Sequence, residues 1–229
     1  MLLDVQLSSA HNDWAQLRDG VLQAEAEGFD TTWVLDHFDG AVLGGDRDLL
    51  ECFTLLGALA VATSTINLGA LVVNVANRHP AVTAAAASSA QRISGGRLRM
   101  GLGAGAPPTS PWAQEHHDRG IPLLSDMSAR HQAVVGQIEL LRTIEPMPII
   151  VGVNSVELAI VAGRYADGVN VRLSSPKAAT YLAAAVDAAD GKTFETSGWA
   201  SVHDQPSQHK AHTLQLDRLI LSRLEPLSN

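Results

Sequence analysis

The chain has 229 residues, of which 46% are hydrophobic and 17% charged, and its formal net charge is −8. This composition excludes a disordered chain and supplies one sizeable core, so a single domain over residues 1–229 is expected. A negative surface repels phosphate backbones and no basic run opposes it, so nucleic acid is not expected as a partner.

The first half of the chain alternates short apolar runs with helical patterns. Gly28 is placed to end the first helix in the left-handed conformation, and Pro80 to begin the third. The predicted strands are Leu2–Ser8, Thr31–Asp36, Ile66–Val73 and Arg97–Leu102, and the predicted helices are Trp14–Glu27, Leu49–Ala62 and Pro80–Ile93. The nearly continuous apolar strands are typical of parallel strands buried on both faces.

The alternation continues after a proline-rich loop and then weakens. Helices are predicted over Ala129–Thr143, Val156–Tyr165 and Lys177–Ala189, and strands over Pro148–Val153 and Gly168–Val171. After Asp190, Trp199–Val202 is a possible strand, Asp204–His212 a loop or poorly formed helix, and Leu214–Leu221 a strand or helix. Six βα units in succession favour a parallel α/β fold, which either a doubly wound sheet or a closed barrel satisfies.

The single cysteine and the N-terminal residues bear on the compartment. Cys52 has no internal partner and lies in an apolar helical run, so a buried structural thiol and a reducing cytoplasm are expected. The N-terminal residues lack the basic region of a signal peptide, and no apolar stretch reaches the roughly 18–20 residues of a membrane span. No membrane partner is therefore expected.

Polar residues follow the second and third predicted strands. Asp36–His37–Phe38 ends the second strand, where a histidine can donate to or protonate a bound ring and Asp36 can fix its tautomer. Asn74 ends the third strand, and its amide can bind a ring or a phosphate. Taken alone, His37 is better explained as a cap of a neighbouring backbone group, and Arg78 and His79 are better explained as part of a turn and a helix start.

Two glycine-containing segments follow later strands. Gly101–Ala106 superficially matches a dinucleotide fingerprint, but Pro107 and Pro108 follow where that motif requires a helix. Gly152–Ser155 leads into a helix, so it provides either an anion site or an N-cap. Glu115, His116 and His117 lack the spacing of metal ligands and are expected to be exposed in a loop, and no metal site is predicted.

Together these segments resemble the luciferase-like monooxygenase family, over roughly residues 1–190. The segments that carry the resemblance are Trp33–Phe38, Leu68–Asn74 with Arg78–Pro80, Ile93–Leu98 with Gly101–Gly105, Pro148–Gly152 and Ala162–Asn170. Each segment is weakly specific, whereas the ordered set is specific.

The resemblance implies a modified (β/α)₈ barrel that binds coenzyme F420 or, alternatively, FMN. It implies that His37 lies beside the reactive ring with Asp36 supporting it, and that Glu115 is a candidate acid. The residues implied to bind the cofactor are Asn74 near the ring, Gly103 and Ala104 on the opposite wall, and Gly152, Val153, Asn154 and Ser155 at the phosphate.

The chain is shorter than that family's pattern in two places. Only residues 144–147 separate the fourth predicted helix from the fifth strand, where the family has an insertion. The compressed segment after Asp190 predicts that the seventh and eighth units are reduced or missing. The open sheet edges that would result predict a homodimer.

The function that the resemblance implies is hydride transfer between coenzyme F420 and a small organic substrate. An FMN-dependent monooxygenase and a non-catalytic flavin-binding protein are the alternatives, the second because shortened relatives can bind flavin without turnover.

Overall fold

The computed structural model describes residues 1–45, 48–225 and 227, and its eight parallel strands form a closed barrel. The strands are β1 Leu2–Leu7, β2 Thr31–Val34, β3 Asn67–Asn74, β4 Leu98–Gly103, β5 Ile149–Val153, β6 Gly168–Arg172, β7 Glu195–Ser201 and β8 Arg218–Arg223. The helices are α1 Trp14–Ala26, α2 Cys52–Ala62, α3 Pro80–Ile93, α4 Gln114–His117, α5 Met127–Arg142, α6 Val156–Tyr165, α7 Ala178–Ala188 and α8 Gln205–Thr213. Each strand pairs with the next, and β8 pairs with β1.

Local capping explains where several helices begin and end. Asp13 and Gln16 form a reciprocal capping box at the start of α1, and Gly28 adopts φ +82° beyond its end. Helix α2 begins at Cys52 rather than at the predicted Leu49, because the Glu51 side chain accepts a hydrogen bond from the Thr54 N–H. Cys52 is buried, as predicted, and burial raises the pKa of its thiol.

The C-terminal part of the chain completes the barrel, so the expectation of missing strands is wrong. The predicted strand at Trp199–Val202 overlaps the second half of β7, and β8 begins halfway through the segment left undecided, at Arg218. The Gln- and His-rich segment predicted as a loop or poor helix forms α8, which Asp204 caps by accepting from Ser207 N–H.

Closure of the barrel removes the reason given for a homodimer. Every strand has two neighbours in the sheet, so the open edges that dimerisation was expected to cover do not exist. None of the helices in the described part of the chain is both long and apolar enough to cross a bilayer.

A bulge in β3 shapes the barrel interior. The β3–β4 register shifts between Ala70 and Val73, and the Leu71–Val72 peptide is cis. A Cβ on Gly103 would lie 2.5 Å from Val72 Cγ2, and one on Gly152 would lie 2.8 Å from Val72 Cγ1. These two glycines therefore make room for the bulged Val72 side chain.

Charged side chains fill the interior near the N-terminal ends of the strands. The Arg218 guanidinium, 2% exposed, donates to Asp4 at 2.5 Å, Asp30 at 2.6 Å and Glu195 at 3.2 Å. Trp33 Nε1 donates to the second Asp4 carboxylate oxygen at 2.7 Å. Burial outweighs these partners and raises the pKa of Asp4 to about 6. Arg218 thus links β8 to β1, β7 and the residue that precedes β2.

Glu25 holds the connection between α2 and β3, and this predicts a pH effect on stability. Burial alone would raise the pKa of Glu25. The pKa is nevertheless lowered to about 2, because the N–H groups of Ser64, Thr65 and Ile66 donate to the carboxylate.

The contribution of Glu25 to stability is complete above its ordinary pKa of about 4.5 and is lost as pH falls toward 2. In Glu25→Gln, urea unfolding should show a weaker loss of stability between pH 4.5 and 2.5 than wild type; an unchanged pH slope would contradict this.

Candidate active site

His37 and Glu115, both predicted site residues, meet at the C-terminal end of the barrel. His37 follows β2, and its Nδ1 lies 2.7 Å from Glu115 Oε1. The other carboxylate oxygen accepts from the N–H groups of Phe38 at 2.7 Å and Asp39 at 3.1 Å. With Nδ1 directed at a carboxylate, the neutral imidazole carries its proton on Nδ1, so the lone pair of Nε2 is on the opposite side of the ring.

The expectation that Glu115 and His116 are exposed loop residues is wrong. Both lie in the short helix α4 and are 1% exposed, whereas His117 is exposed. Burial alone would raise the pKa of Glu115, but the hydrogen bonds from His37, Phe38 and Asp39 bring it below its ordinary value. An ionised carboxylate is therefore buried directly beside His37, whose side chain is 30% exposed.

Asp36 does not support His37 as expected. Its carboxylate accepts two hydrogen bonds from Arg78, at 2.7 and 2.9 Å, and one from Asn74 N–H at 3.0 Å. Arg78 Nη2 also donates to Glu51 Oε1 at 2.5 Å. This bidentate pair joins the end of β2 to the end of β3, and Glu115 replaces Asp36 as the partner of the imidazole.

Asn74 is held within the loop region rather than left free at the strand end. Its Oδ1 accepts from Ala76 N–H at 3.0 Å, and its Nδ2 lies 3.1 Å from His116 Nε2. Asn77 Oδ1 lies 2.8 Å from the same nitrogen, and its Nδ2 donates to the Asp36 carbonyl. Burial lowers the pKa of His116, which suits a neutral imidazole that joins α4 to the β3 end.

Three polar or aromatic residues of the barrel mouth were missed by sequence reasoning. Trp199 Nε1 donates to Gln6 Oε1 at 2.6 Å, and Gln6 Nε2 donates to the Leu71 carbonyl at 2.6 Å. The Arg172 guanidinium lies 4.9 Å from the centre of the Trp199 ring and has no carboxylate partner among residues 1–45, 48–225 and 227. The one available signal was the charged residue Arg172 at the end of β6.

A pocket of about 130 Å³ opens beside the ends of β3 and β4, and it is called the β3–β4 pocket below. It is lined by Val75, Ala76, Ala104, Ala106, Pro122, Leu123, Leu124, Arg130 and Ala133. Arg130 Nη1 donates to the Gly105 carbonyl at 2.9 Å, while Arg130 Nε is buried without a hydrogen-bond acceptor. A buried donor without a partner beside a pocket suits an acceptor atom of a ligand.

The remaining predicted cofactor residues lie at two separate strand ends. Ala104 lines the β3–β4 pocket, whereas Gly103 packs against Val72. Gly152 and Val153 end β5, Asn154 is exposed, and Ser155 caps α6 by accepting from Leu158 N–H at 3.1 Å. In the described part of the chain, no three His, Cys, Asp or Glu side chains are grouped so that they could hold a metal ion.

The chain is similar to known proteins along most of its length. Residues 2–202 match the family described as luciferase-like monooxygenase. The 5,10-methylenetetrahydromethanopterin reductase of Methanolobus tindarius is 30% identical over 168 residues, which are 67% of this chain and 49% of the relative. The reductase of the same description from Archaeoglobus fulgidus is 28% identical over 209 residues, 82% of this chain and 60% of the relative.

Solved structures show the same fold. The coenzyme F420-dependent tetrahydromethanopterin reductase of Methanopyrus kandleri aligns with TM-score 0.69 and 19% identity, covering 90% of this chain and 68% of that one. An F420-dependent secondary alcohol dehydrogenase in complex with an F420-acetone adduct aligns with TM-score 0.72 and 14% identity, covering 97% and 93%.

These observations define the class of the chain as a parallel eight-stranded α/β barrel with a histidine–carboxylate pair at its C-terminal end. The chain belongs to the luciferase-like monooxygenase family. It spans about half of the length of the curated relatives that it matches.

Proposed function

We propose that the chain is an oxidoreductase that transfers hydride between coenzyme F420 and a small organic substrate. The observation that carries the proposal is the contact between His37 and the buried Glu115 carboxylate at the C-terminal end of the barrel. Active sites of such barrels lie at this end of the strands. The similarity to proteins described as F420-dependent supports the choice of cofactor.

In this proposal His37 moves the proton that accompanies hydride transfer. Glu115 holds Nδ1, and Nε2 is left to accept a proton from a substrate hydroxyl or to return it to a carbonyl oxygen. The ionised Glu115 stabilises the imidazolium that forms, so Glu115 acts by positioning and charge. The Asp36–Arg78 pair holds the residue that precedes His37, and Glu115 accepts from the two backbone N–H groups that follow it.

The β3–β4 pocket fits part of a deazaflavin or flavin. Its walls are mainly apolar, and the unpartnered Arg130 Nε can donate to an acceptor on the cofactor. Ala104 would contact the cofactor from β4, and the N–H groups at Gly152–Ser155 would hold a phosphate at the start of α6. When bound, the cofactor supplies the hydride acceptor or donor.

The proposal includes a cellular setting. The single cysteine is buried and suits a reducing cytoplasm. We also propose that the chain forms a homodimer.

The first experiment is a titration of the purified chain with coenzyme F420 and with FMN, followed by fluorescence. Tight binding of F420 and weak binding of FMN is expected, and reduction or oxidation of F420 with an alcohol, aldehyde or enone would then establish turnover. Preference for FMN, with oxygen uptake that depends on reduced FMN, would replace the proposal with a monooxygenase. Binding without turnover of any substrate would favour a flavin-binding protein, and binding of neither cofactor would exclude all three functions.

Arg130 gives a sharper test of the cofactor pocket. Arg130→Met should weaken F420 binding by about tenfold or more, since a hydrogen bond to a charged group contributes roughly 1.5–3 kcal/mol. Arg164→Met, at an exposed site on α6, is the matched control and should leave the dissociation constant unchanged. Equal affinities of wild type and Arg130→Met would remove the β3–β4 pocket from the cofactor site.

A further inference from the structure

Arg172 ends β6 with its side chain on the interior face of the barrel, at the mouth. Successive side chains of a strand alternate between faces, so Arg172 shares a face with Asn170, whose Nδ2 donates to Ser197 Oγ of β7 at 3.0 Å. Ser197 lies two residues after Glu195, which forms ion pairs inside the barrel. In the closed ring of eight strands, β6 is four places from β2 in either direction. Arg172 therefore lies across the mouth from His37, which follows β2.

The guanidinium of Arg172 is held in a fixed position by Trp199. The two residues are paired in register on β6 and β7, and the guanidinium carbon lies 4.9 Å from the centre of the indole ring. Trp199 Nε1 donates to Gln6 Oε1 at 2.6 Å, and Gln6 Nε2 donates to the Leu71 carbonyl at 2.6 Å. Because Gln6 is buried, these hydrogen bonds fix the ring on which the guanidinium lies. The cation is thus positioned before any ligand binds.

The hydrogen-bond donors of this cation are available to a ligand. A guanidinium has five N–H donors, and one that lies on an aromatic ring keeps them at its edge. In the part of the chain that the structure describes, none of them is donated to a protein acceptor, and the side chain is exposed. The loop after β6 turns back on itself, with Ser175 N–H donating to the Arg172 carbonyl and Lys210 Nζ to the Ser175 carbonyl. That loop therefore supplies no acceptor to the guanidinium.

We propose that Arg172 binds an acid group, a carboxylate or a phosphate, on the substrate. The proposal rests on the proposed function for the reaction and adds the class of substrate: an alcohol or carbonyl compound with an acid group at its other end. Such a molecule would reach from His37, at its reacting oxygen, to Arg172 across the mouth. The planar guanidinium with free edge donors matches two oxygens of either acid group.

The cofactor is the other source of such an anion. Its phosphate is already assigned to Gly152–Ser155 at the end of β5, so Arg172 is assigned to the substrate. Arg172 then determines specificity and takes no part in proton transfer. The chain has a net charge of −8, so an anion is attracted to the mouth only where a local cation outweighs the field of the whole molecule.

The test compares two compounds that differ in one charge, 4-(hydroxymethyl)benzoate and 4-(hydroxymethyl)benzamide. Calorimetric titration of the full chain, with and without F420, gives a dissociation constant for each compound and requires no turnover. The benzoate should bind about tenfold more tightly than the amide, as expected for hydrogen bonds between two charged groups.

Three variants separate the charge of Arg172 from its contact with Trp199. Arg172→Met keeps an unbranched side chain that can cover the ring, and it should abolish the preference for the benzoate. Arg172→Lys should keep part of the preference, because it retains the charge without the planar fork. Arg164→Met, at an exposed site on α6, is the control and should keep the whole preference. Thermal denaturation of each variant reports that the barrel is folded.

Equal affinity of the wild type for the two compounds, or binding of neither, would overturn the proposal. So would a loss of F420 affinity in Arg172→Met, because the cation would then serve an acid group of the cofactor. Failure of the proposed function has a different signature: F420 would not bind or would not be reduced, while the preference for the benzoate would remain in the titration without F420.

Discussion

His37→Asn should lower turnover with F420 by a factor of about 10² to 10⁴, the usual contribution of a positioned acid–base group. The asparagine amide can still donate to Glu115 from near the position of Nδ1, but it has no counterpart of Nε2. The dissociation constant of F420 should change by less than about threefold, because the substitution removes proton transfer and keeps the wall of the site. Steady-state kinetics on a substrate from the screen, with a parallel fluorescence titration, measures both quantities.

Glu115→Gln removes the charge of the pair. Glutamine has an NH₂ group in place of one of the two accepting oxygens, so it can accept from Nδ1 only by losing the hydrogen bonds from Phe38 and Asp39 N–H, and it has no charge to stabilise an imidazolium. Turnover should therefore fall. Because the pKa of Glu115 is lowered, its contribution to stability is complete above about 4.5 and is lost as pH falls below that value. The glutamine variant should therefore lose less stability than wild type below pH 4.5. Full turnover in either variant would exclude the pair from the chemistry.

The first six βα units could be predicted from the sequence because their strands are apolar runs and their helices carry local caps. The last two units could not. β7 contains Thr196 and Ser197, and its first residue, Glu195, bonds Arg99 and Arg218 inside the barrel. A strand whose interior-facing residues form ion pairs has no continuous apolar run, so its hydrophobic pattern is weak. α8 has few apolar residues and depends on the Asp204 cap.

His37 and Glu115 could each be chosen from the sequence as candidates, but their contact could not be predicted. They are 78 positions apart, and the loop that carries Glu115 has no periodicity that fixes its path. Asp36 appeared to be the partner because it precedes His37, yet successive residues of an extended segment point to opposite sides. In the structure the Asp36 carboxylate pairs with Arg78. The local sequence had explained Arg78 as part of a turn.

The Arg218 cluster at the opposite end of the barrel gives the largest expected effect on stability. Arg218→Met should destabilise the fold by about 3–5 kcal/mol, because Asp4, fully buried, would keep a carboxylate without its cation. Asp4→Asn should lower the free energy of unfolding much less than Arg218→Met does. Burial already raises the pKa of Asp4 to about 6, so a neutral side chain is tolerated there, and Arg218 keeps Asp30 and Glu195.

The pH dependence of this effect follows from the sign of the shift. The pKa of Asp4 in the folded chain is raised above its ordinary value of 3.8. The contribution of Asp4 to the free energy of unfolding therefore falls as pH rises from about 4 to 6 and is lowest above pH 6. Without Arg218 the folded pKa rises further, so Arg218→Met should continue to lose stability above pH 6, and the double variant Asp4→Asn/Arg218→Met should recover part of the loss. Urea unfolding followed by far-UV circular dichroism at pH 5, 7 and 8.5 measures this. A loss below about 1 kcal/mol in Arg218→Met, or an equal loss in Asp4→Asn, would show that the cluster does not hold the barrel closed.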